Sequence, residues 1–547
     1  MDQSMGSSSS RMSRRSALKA LAWGTGSSLV PLLLRHSSLA EEGVHEGAIA
    51  ATNAGKIRGY IDKDIYVFKG IPYGADTAPR RFMAPISPQP WTGIRPALEF
   101  GPRAPQLRPP AHISPGGTVE DPGGPVSEDC LYLNVWTPGL RDRAKRPVMV
   151  YFHGGGYVAH AANFSIYDGV NLCRRGDVVV VTLNHRLNAF GYLYLAELGG
   201  PEFADSGNVG QLDLILALKW VRDNISEFGG NPDRVLIFGQ SGGGGKVATL
   251  MAMPSGAGLF HRAATSSGGA VTALTPEEAT WRAEAVLNAL DLSLDQIDKL
   301  KTVSIDNLIE ASRASDQYGP VVDGRNLPRG PFSPDAPSIS AHIPFMVGTN
   351  HDESRSLLVE NNQALLYLTW ETLKQNLAPY SKRMGNLDRV IDLYRRLYPN
   401  YSASDVFFSA TTDSLAWRAA LLEIERRAAL PSGSAPTYSY ELRWGSPFDH
   451  GRYKACHGLD VPFVFDNVAL SHRMTGTGPD AYVLAAQMSE AYLAFARNGD
   501  PNNPRLPHWP PYDLPRRATL VFDVVPKVID DPRGAERRFF SQIPDSG

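Results

Sequence analysis

Cysteine is scarce in this chain: three among 547 residues, at Cys130, Cys173 and Cys456. An odd, small number builds no disulfide framework, and the spacings match no CxxC pattern, so a structural zinc site is not expected. Charge of one sign is equally lacking. The 54 basic residues stand against 56 acidic ones, a formal net charge of -2, which implies no long-range field of one sign and argues against nucleic acid as a partner. Beyond the N-terminus no apolar run is long enough to cross a bilayer, and no internal repeat is found. What remains is ordinary globular composition, 43% hydrophobic and 20% charged, with ample length for a large core.

The N-terminus has its own pattern. Ser13-Arg14-Arg15-Ser16-Ala17-Leu18-Lys19 precedes a mostly apolar stretch from Ala20 to Leu34. Ser38-Leu39-Ala40, small-x-small, follows just before the acidic Glu41-Glu42. This reads as a twin-arginine export signal over residues 1–40, cleaved after Ala40, with a periplasmic or secreted product. The stretch falls short of the ~20 residues of a membrane span and contains Gly24, Gly26 and Pro31. No stable membrane insertion is expected once the signal is removed. Residues 41–547 read as one domain, because motifs of a single catalytic fold run through them. The densest loop, Pro102 to Pro125, is expected at the surface near a site entrance.

Short apolar runs alternate with helical patterns. Pro147 to Phe152, Asp177 to Leu183, Arg234 to Phe238 and Ile343 to Val347 read as strands buried on both faces. Between the second and third, Leu214, Ile215, Leu218, Val221 and Ile225 share one helical face, with Asp213, Arg222 and Asp223 among the polar positions between. The alternation implies an α/β fold with a mainly parallel sheet, its chemistry in loops beyond the carboxyl ends of the strands.

Three features carry that chemistry. The strand ending at Phe238 enters Gly239-Gln240-Ser241-Gly242-Gly243, a G-x-S-x-G elbow, and a helical pattern follows over Lys246 to Met253. Such a turn holds the serine strained and exposed at a helix N-terminus, where the dipole favours developing negative charge. The strand ending at Phe152 enters His153-Gly154-Gly155-Gly156-Tyr157, whose consecutive glycines can aim backbone N–H groups at one spot and suit an oxyanion hole. A phosphate loop would need a G-x-G-x-x-G or Lys-Ser/Thr spacing that is missing. Serine also needs a base and an acid, supplied by this fold in the chain order serine, acid, histidine. Asp352 and Glu353, in the loop after Val347, are both candidates for the acid. Among His450, His457, His472 and His508, His457 is favoured, since it follows the strand-like Thr437 to Leu442 and precedes Gly458.

The chain resembles the type-B carboxylesterase family, which also contains the cholinesterases. The resemblance rests on Phe68-Lys69-Gly70-Ile71-Pro72-Tyr73, Arg81-Phe82, Ser127-Glu128-Asp129-Cys130-Leu131, Asn184-His185-Arg186 and Phe228-Gly229-Gly230-Asn231-Pro232. It continues through the elbow, Asn350-His351-Asp352-Glu353 and His457-Gly458. It implies an α/β-hydrolase fold with large insertions forming a gorge. By position it assigns Ser241, Glu353 and His457 as the triad and the N–H groups of Gly155, Gly156 and Gly242 as the oxyanion hole. It also implies a supporting role for Ser267, and a carboxylic ester hydrolase that needs no metal or cofactor and takes a small-molecule ester. An amidase or carbamate hydrolase would use the same residues. A non-catalytic binding module on the same fold would lack the nucleophile or the histidine, and both are present here.

Four departures from the family stand out. Gln240 replaces the usual glutamate before the nucleophile, so a negative charge near the base is lost. Gly242 stands where alanine is common and should serve equally through its N–H. Ala104 stands where the family has the disulfide partner of the cysteine matching Cys130, so Cys130 should be a free buried thiol. Finally, Ala104 to Ser127 lacks the tryptophan that binds a quaternary ammonium, which argues against choline esters.

Overall fold

A strand with no polar alternation is stable only between two covering layers, and the apolar runs accordingly form the middle of a sheet. The structure, a computed structural model, describes residues 48–107, 122–360 and 362–544. The export signal assigned to residues 1–40 and the middle of the Pro-rich loop lie outside them. Three short strands, β1 (Ile49–Ala51), β2 (Lys56–Arg58) and β5 (Ile94–Pro96), make a small sheet of their own. The large sheet contains β3 (Tyr60–Asp62), β4 (Ile65–Pro72), β6 (Tyr132–Thr137), β7 (Arg146–Phe152), β8 (Val179–Leu183) and β9 (Gly230–Gln240). It continues with β10 (Arg262–Ser266), β11 (Phe345–Asn350), β12 (Thr437–Leu442), β13 (Ala518–Phe522) and β14 (Lys527–Asp530). Its spatial order is β3-β4-β6-β8-β7-β9-β10-β11-β12-β13-β14. From β8 to β13 every neighbouring pair is parallel. Antiparallel pairs occur only towards the two ends. This is the sheet of the α/β-hydrolase fold, and the described residues belong to one compact unit, His45–Gly547.

Strand periodicity divides the core. Val148, Val150 and Phe152 pack on one face with Leu214, Leu218 and Val221 of the helix Val209–Asn224. Met149 and Tyr151 pack on the other with Leu484, Met488 and Tyr492 of the helix Pro479–Asn498. Two strand boundaries differ from expectation for local reasons. Asp177 adopts φ 45° and ends the helix Val170–Gly176, so β8 starts after it. Pro344 has no N–H to donate, so β11 starts at Phe345 and runs on to Asn350.

The arginines of two of the family-like motifs, Arg81 and Arg186, sit in buried ion pairs. Arg81 donates through Nε to Glu128 at 2.9 Å. Arg186 donates through Nη2 to Asp213 at 2.6 Å, and both side chains are buried. Asp213 is therefore no solvent-facing helix residue, unlike the exposed Arg222 and Asp223. It also accepts the backbone N–H of Arg186 at 2.9 Å, fixing the chain just after β8. Asp213→Ala leaves the guanidinium buried without its counter-charge, and a loss of about 3–5 kcal/mol is expected in urea unfolding of the purified chain. A loss under about 1 kcal/mol, the size of a surface pair, contradicts this account.

Candidate active site

Strand β9 ends at Gln240, and Ser241 follows at φ 58° and ψ -129°. That conformation is costly for a side chain, by about 1–3 kcal/mol, and the surroundings enforce it. A β-carbon on Gly239 would lie 2.4 Å from the carbonyl carbon of Gly243, and one on Gly243 1.9 Å from the oxygen of Phe152. The helix after the elbow begins at once, Gly242–Leu250, rather than at Lys246. Four glycines carry no periodic side chains, so sequence pattern misses this first turn; close backbone packing holds it instead. Gly242 lies against Gly156, where a β-carbon would approach the Gly156 oxygen to 2.1 Å. An alanine side chain would therefore need the Gly156 backbone to shift, while the Gly242 N–H itself remains unpaired among the described residues.

The Ser241 backbone N–H donates to Ser266 O at 2.8 Å. Its hydroxyl makes no hydrogen bond to any described residue, and it faces a cavity of about 420 Å³ that His457 also lines. His457 Nδ1 lies 2.6 Å from Glu353 Oε2, and both side chains are buried. Glu353 Oε1 accepts the backbone N–H of Asn350 at 2.7 Å, which fixes the carboxylate behind the ring. Asp352 is engaged elsewhere, with His351 at 3.1 Å and Arg355 at 3.3 Å. Burial works to raise its carboxyl, but the hydrogen bond from His351 and the charges of His351 and Arg355 outweigh burial and hold it below the usual range. His450, His472 and His508 are exposed. The structure thus brings Ser241, Glu353 and His457 into one locus and leaves the other candidates out.

Gln240 sits closer to this locus than its sequence position suggests. Its Nε2 is 3.1 Å from His457 Nε2. With Nδ1–H directed at Glu353, Nε2 is the acceptor and the Gln240 amide the donor. The ring nitrogen that a serine hydroxyl would need is thus occupied by a neutral amide.

Gly155 (φ 79°) and Gly156 (φ 60°) curve the loop after β7 towards the elbow. Among the described residues the N–H groups of Gly155, Gly156 and Gly242 have no protein acceptor. Ser267 lines the cavity, but its hydroxyl reaches Ser266 Oγ at 3.4 Å rather than the histidine. Ser266 in turn donates to Asp460. Asp460 accepts from Asn350 Nδ2 at 3.3 Å, and Asn350 Nδ2 also holds Cys456 O at 2.7 Å. This buried network, which ties the loops carrying Glu353 and His457, was missed in the sequence. The only available signal was an acid three residues after a candidate base. Burial raises the Asp460 carboxyl, with the Ser266 hydrogen bond opposing. Cys130, Cys173 and Cys456 are free and buried. No His, Cys, Asp and Glu cluster able to hold a metal occurs among the described residues.

A strained serine at a strand-to-helix turn, a buried His–Glu pair and unpaired glycine N–H groups together define the α/β-hydrolase class. Comparison with known proteins narrows this. The Carboxylesterase family profile matches residues 46–539, and the chain belongs to that family. It is 35% identical over 503 residues to the para-nitrobenzyl esterase of Bacillus subtilis (strain 168), covering 90% of this chain and 98% of that protein. It is 32% identical over 494 residues to the phenmedipham hydrolase of Pseudarthrobacter oxydans, covering 86% and 94%. A solved structure of a Geobacillus stearothermophilus carboxylesterase at pH 6.2 superposes with a TM-score of 0.79 at 34% identity, covering 90% of this chain and all of that one. The protein is a carboxylic ester hydrolase.

The Gln240 contact generates a prediction. In Gln240→Glu a carboxylate replaces the amide beside His457 Nε2 and stabilises the imidazolium. The acidic limb of the kcat/KM profile should move to higher pH by roughly half a unit to one unit. An unmoved limb would reduce Gln240 to a space-filling group.

Proposed function

We propose that this esterase works through an acyl-enzyme on Ser241, with His457 as base, Glu353 as its orienting acid and the N–H groups of Gly155, Gly156 and Gly242 as the oxyanion hole. The observation that carries the reading is the 2.6 Å contact of His457 Nδ1 with Glu353, on a ring that shares one cavity with Ser241. When an ester enters, the serine hydroxyl displaces the Gln240 amide from Nε2. His457 takes the hydroxyl proton as Oγ bonds to the ester carbonyl carbon. The carbonyl oxygen becomes an oxyanion held by the glycine N–H groups. The intermediate collapses, the carbon–alkoxy bond breaks, and the alcohol leaves with the proton from His457. Water then attacks the acyl-enzyme by the same route and releases the acid and free Ser241.

The substrate is a small-molecule ester without a quaternary ammonium requirement. The cavity supports this size, and its lining mixes Tyr157, Tyr318, Leu357 and Leu415 with Arg383 at an exposed position. Relatives named para-nitrobenzyl esterase and phenmedipham hydrolase support small synthetic esters and related acyl compounds as first assays. Ser241→Ala should abolish turnover of p-nitrophenyl acetate and labelling by a fluorophosphonate probe while leaving the circular dichroism unchanged. Glu353→Gln should lower kcat by about 10²-fold or more, by analogy with neutral replacement of a triad acid, and Asp352→Asn far less. The reverse ranking would make Asp352 the acid. Wild-type turnover in Ser241→Ala would remove the nucleophile assignment.

Export is part of the same proposal: residues 1–40 form a twin-arginine signal, and the working enzyme is periplasmic or secreted. Arg14→Lys with Arg15→Lys should leave active, unprocessed enzyme in the cytoplasm, read by fractionation and the mass of the N-terminal peptide. Unchanged export, or a mature N-terminus far from Glu41, contradicts it.

A further inference from the structure

Lys246 lies in the helix that starts beside the nucleophile, and its side chain is fully buried. Its ammonium donates to His153 O at 2.9 Å and to Gly156 O at 3.0 Å, and lies 5.6 Å from the centre of the Tyr157 ring. All three contacts fall on the segment 153–157, which carries Gly155 and Gly156. Among the described residues Lys246 makes no ion pair. The titratable groups facing it are Tyr157, whose phenol is pushed well above its ordinary value by burial, His153, at the end of β7, and His185, after β8. The two histidine rings stack at 4.9 Å. From the helix Val209–Asn224 the neutral Gln211 reaches the Lys246 backbone, and Asp213 is committed to Arg186. Glu423 faces the site from the helix Arg418–Ala428 but spends its carboxylate on Ala270 N and Thr265 Oγ1. A buried cation without a counter-ion is costly, and a structural role alone would be met by a neutral donor.

We infer that Lys246 is a positioning residue for the oxyanion hole: it clamps the carbonyls on either side of Gly155 and Gly156 and places a positive charge behind the N–H groups that receive the oxyanion. The inference rests on the proposed role of those N–H groups. The two clamped carbonyls belong to the peptides on either side of those that carry the Gly155 and Gly156 N–H groups, so the loop is held at both ends before substrate arrives and need not reorganise as charge develops. The fixed Gly156 carbonyl is also the atom that lies against Gly242, which ties the loop to the elbow at one point.

Burial lowers the Lys246 ammonium to about 7. Burial, with the charge of Lys246 second, drives His153 and His185 well below their ordinary value, so both stay neutral. The lysine charge is present below neutral pH and is lost as pH rises through about 7. Support for the oxyanion therefore fades on the alkaline side.

The test uses the full chain and p-nitrophenyl acetate between pH 5 and 10. Lys246→Met, which keeps the volume and removes the charge, should lower kcat by about 10- to 100-fold at pH 6, less than the roughly 10²- to 10³-fold cost of losing a donor that touches the oxyanion itself. KM should change less than about threefold, the pattern of an interaction made in the transition state. The wild type should show an alkaline decline in kcat/KM that the variant lacks. Wild-type kcat in the variant, or the same alkaline limb in both, overturns the inference. If the variant does not fold, the wild type decides through a trifluoromethyl ketone, which mimics the oxyanion. Its affinity should fall between pH 7 and 9, and a constant affinity overturns the inference. Failure of the underlying catalytic reading is distinct: it would appear as retained turnover in Ser241→Ala.

Discussion

A β-carbon at Gly243 would sit 1.9 Å from the carbonyl oxygen of Phe152, and much of the catalytic geometry follows from that backbone contact. It forces β9 into the next helix with no room for a wider turn, and Ser241 takes the strain. The sheet register then brings the neighbouring strand ends level with the serine. Phe152 pairs with Gly239, so the loop after β7 emerges beside the elbow. Ser266 pairs with Gln240 on one side and Gly348 on the other, so β9 and β10 end at the same height and β11 runs on past them to Asn350. The loop after β11 delivers Glu353 and the chain after β12 delivers His457. Relaxing the glycine contact would move these groups apart together.

The parts of the fold that could be read in sequence are those where local chemistry and tertiary environment agree. Val148 to Phe152 is apolar at every position because both faces are covered, and it appears as a strand. The elbow could be read for the same reason, since its glycines and its flanking strand answer to one geometry. Asp352 and Glu353 could not be separated by local pattern, because adjacent carboxylates differ only in which distant partner claims them. His351 and Arg355 claim the first, and His457 claims the second. Asp213 shows the same limit: nothing in the helix pattern separates it from the exposed Arg222 and Asp223 until a buried arginine 27 residues away is known. The first turn after Ser241 and the Asp460 network were hidden because neither glycine runs nor isolated polar residues have a periodicity.

Around the serine, burial shifts several ionisable groups towards their neutral forms. Two histidines stack uncharged behind the glycine loop. Burial raises Glu423 to about 8, and it binds the Ala270 N–H at the cavity wall. Gln240 contributes an amide where the family usually has a carboxylate. In such surroundings the few groups that do carry charge act over longer distances, because little nearby charge screens them. The environment is suited to a reaction in which charge appears briefly and must be met by fixed dipoles.

The spacing of the site along the chain has a consequence for biosynthesis. Glu353 and His457 are 104 residues apart, and Gln240 and His457 are 217 apart. Synthesis runs from the N-terminus, so the strained serine is made long before His457, and β13, which completes the parallel part of the sheet next to β12, comes later still. A nascent chain that has not yet emerged past residue 457 lacks the histidine proposed to act on Ser241, and contacts this distant in sequence form late in folding. On that proposal the nascent chain is inert for most of its translation, and hydrolytic activity waits until the C-terminal segment has left the ribosome and joined the sheet.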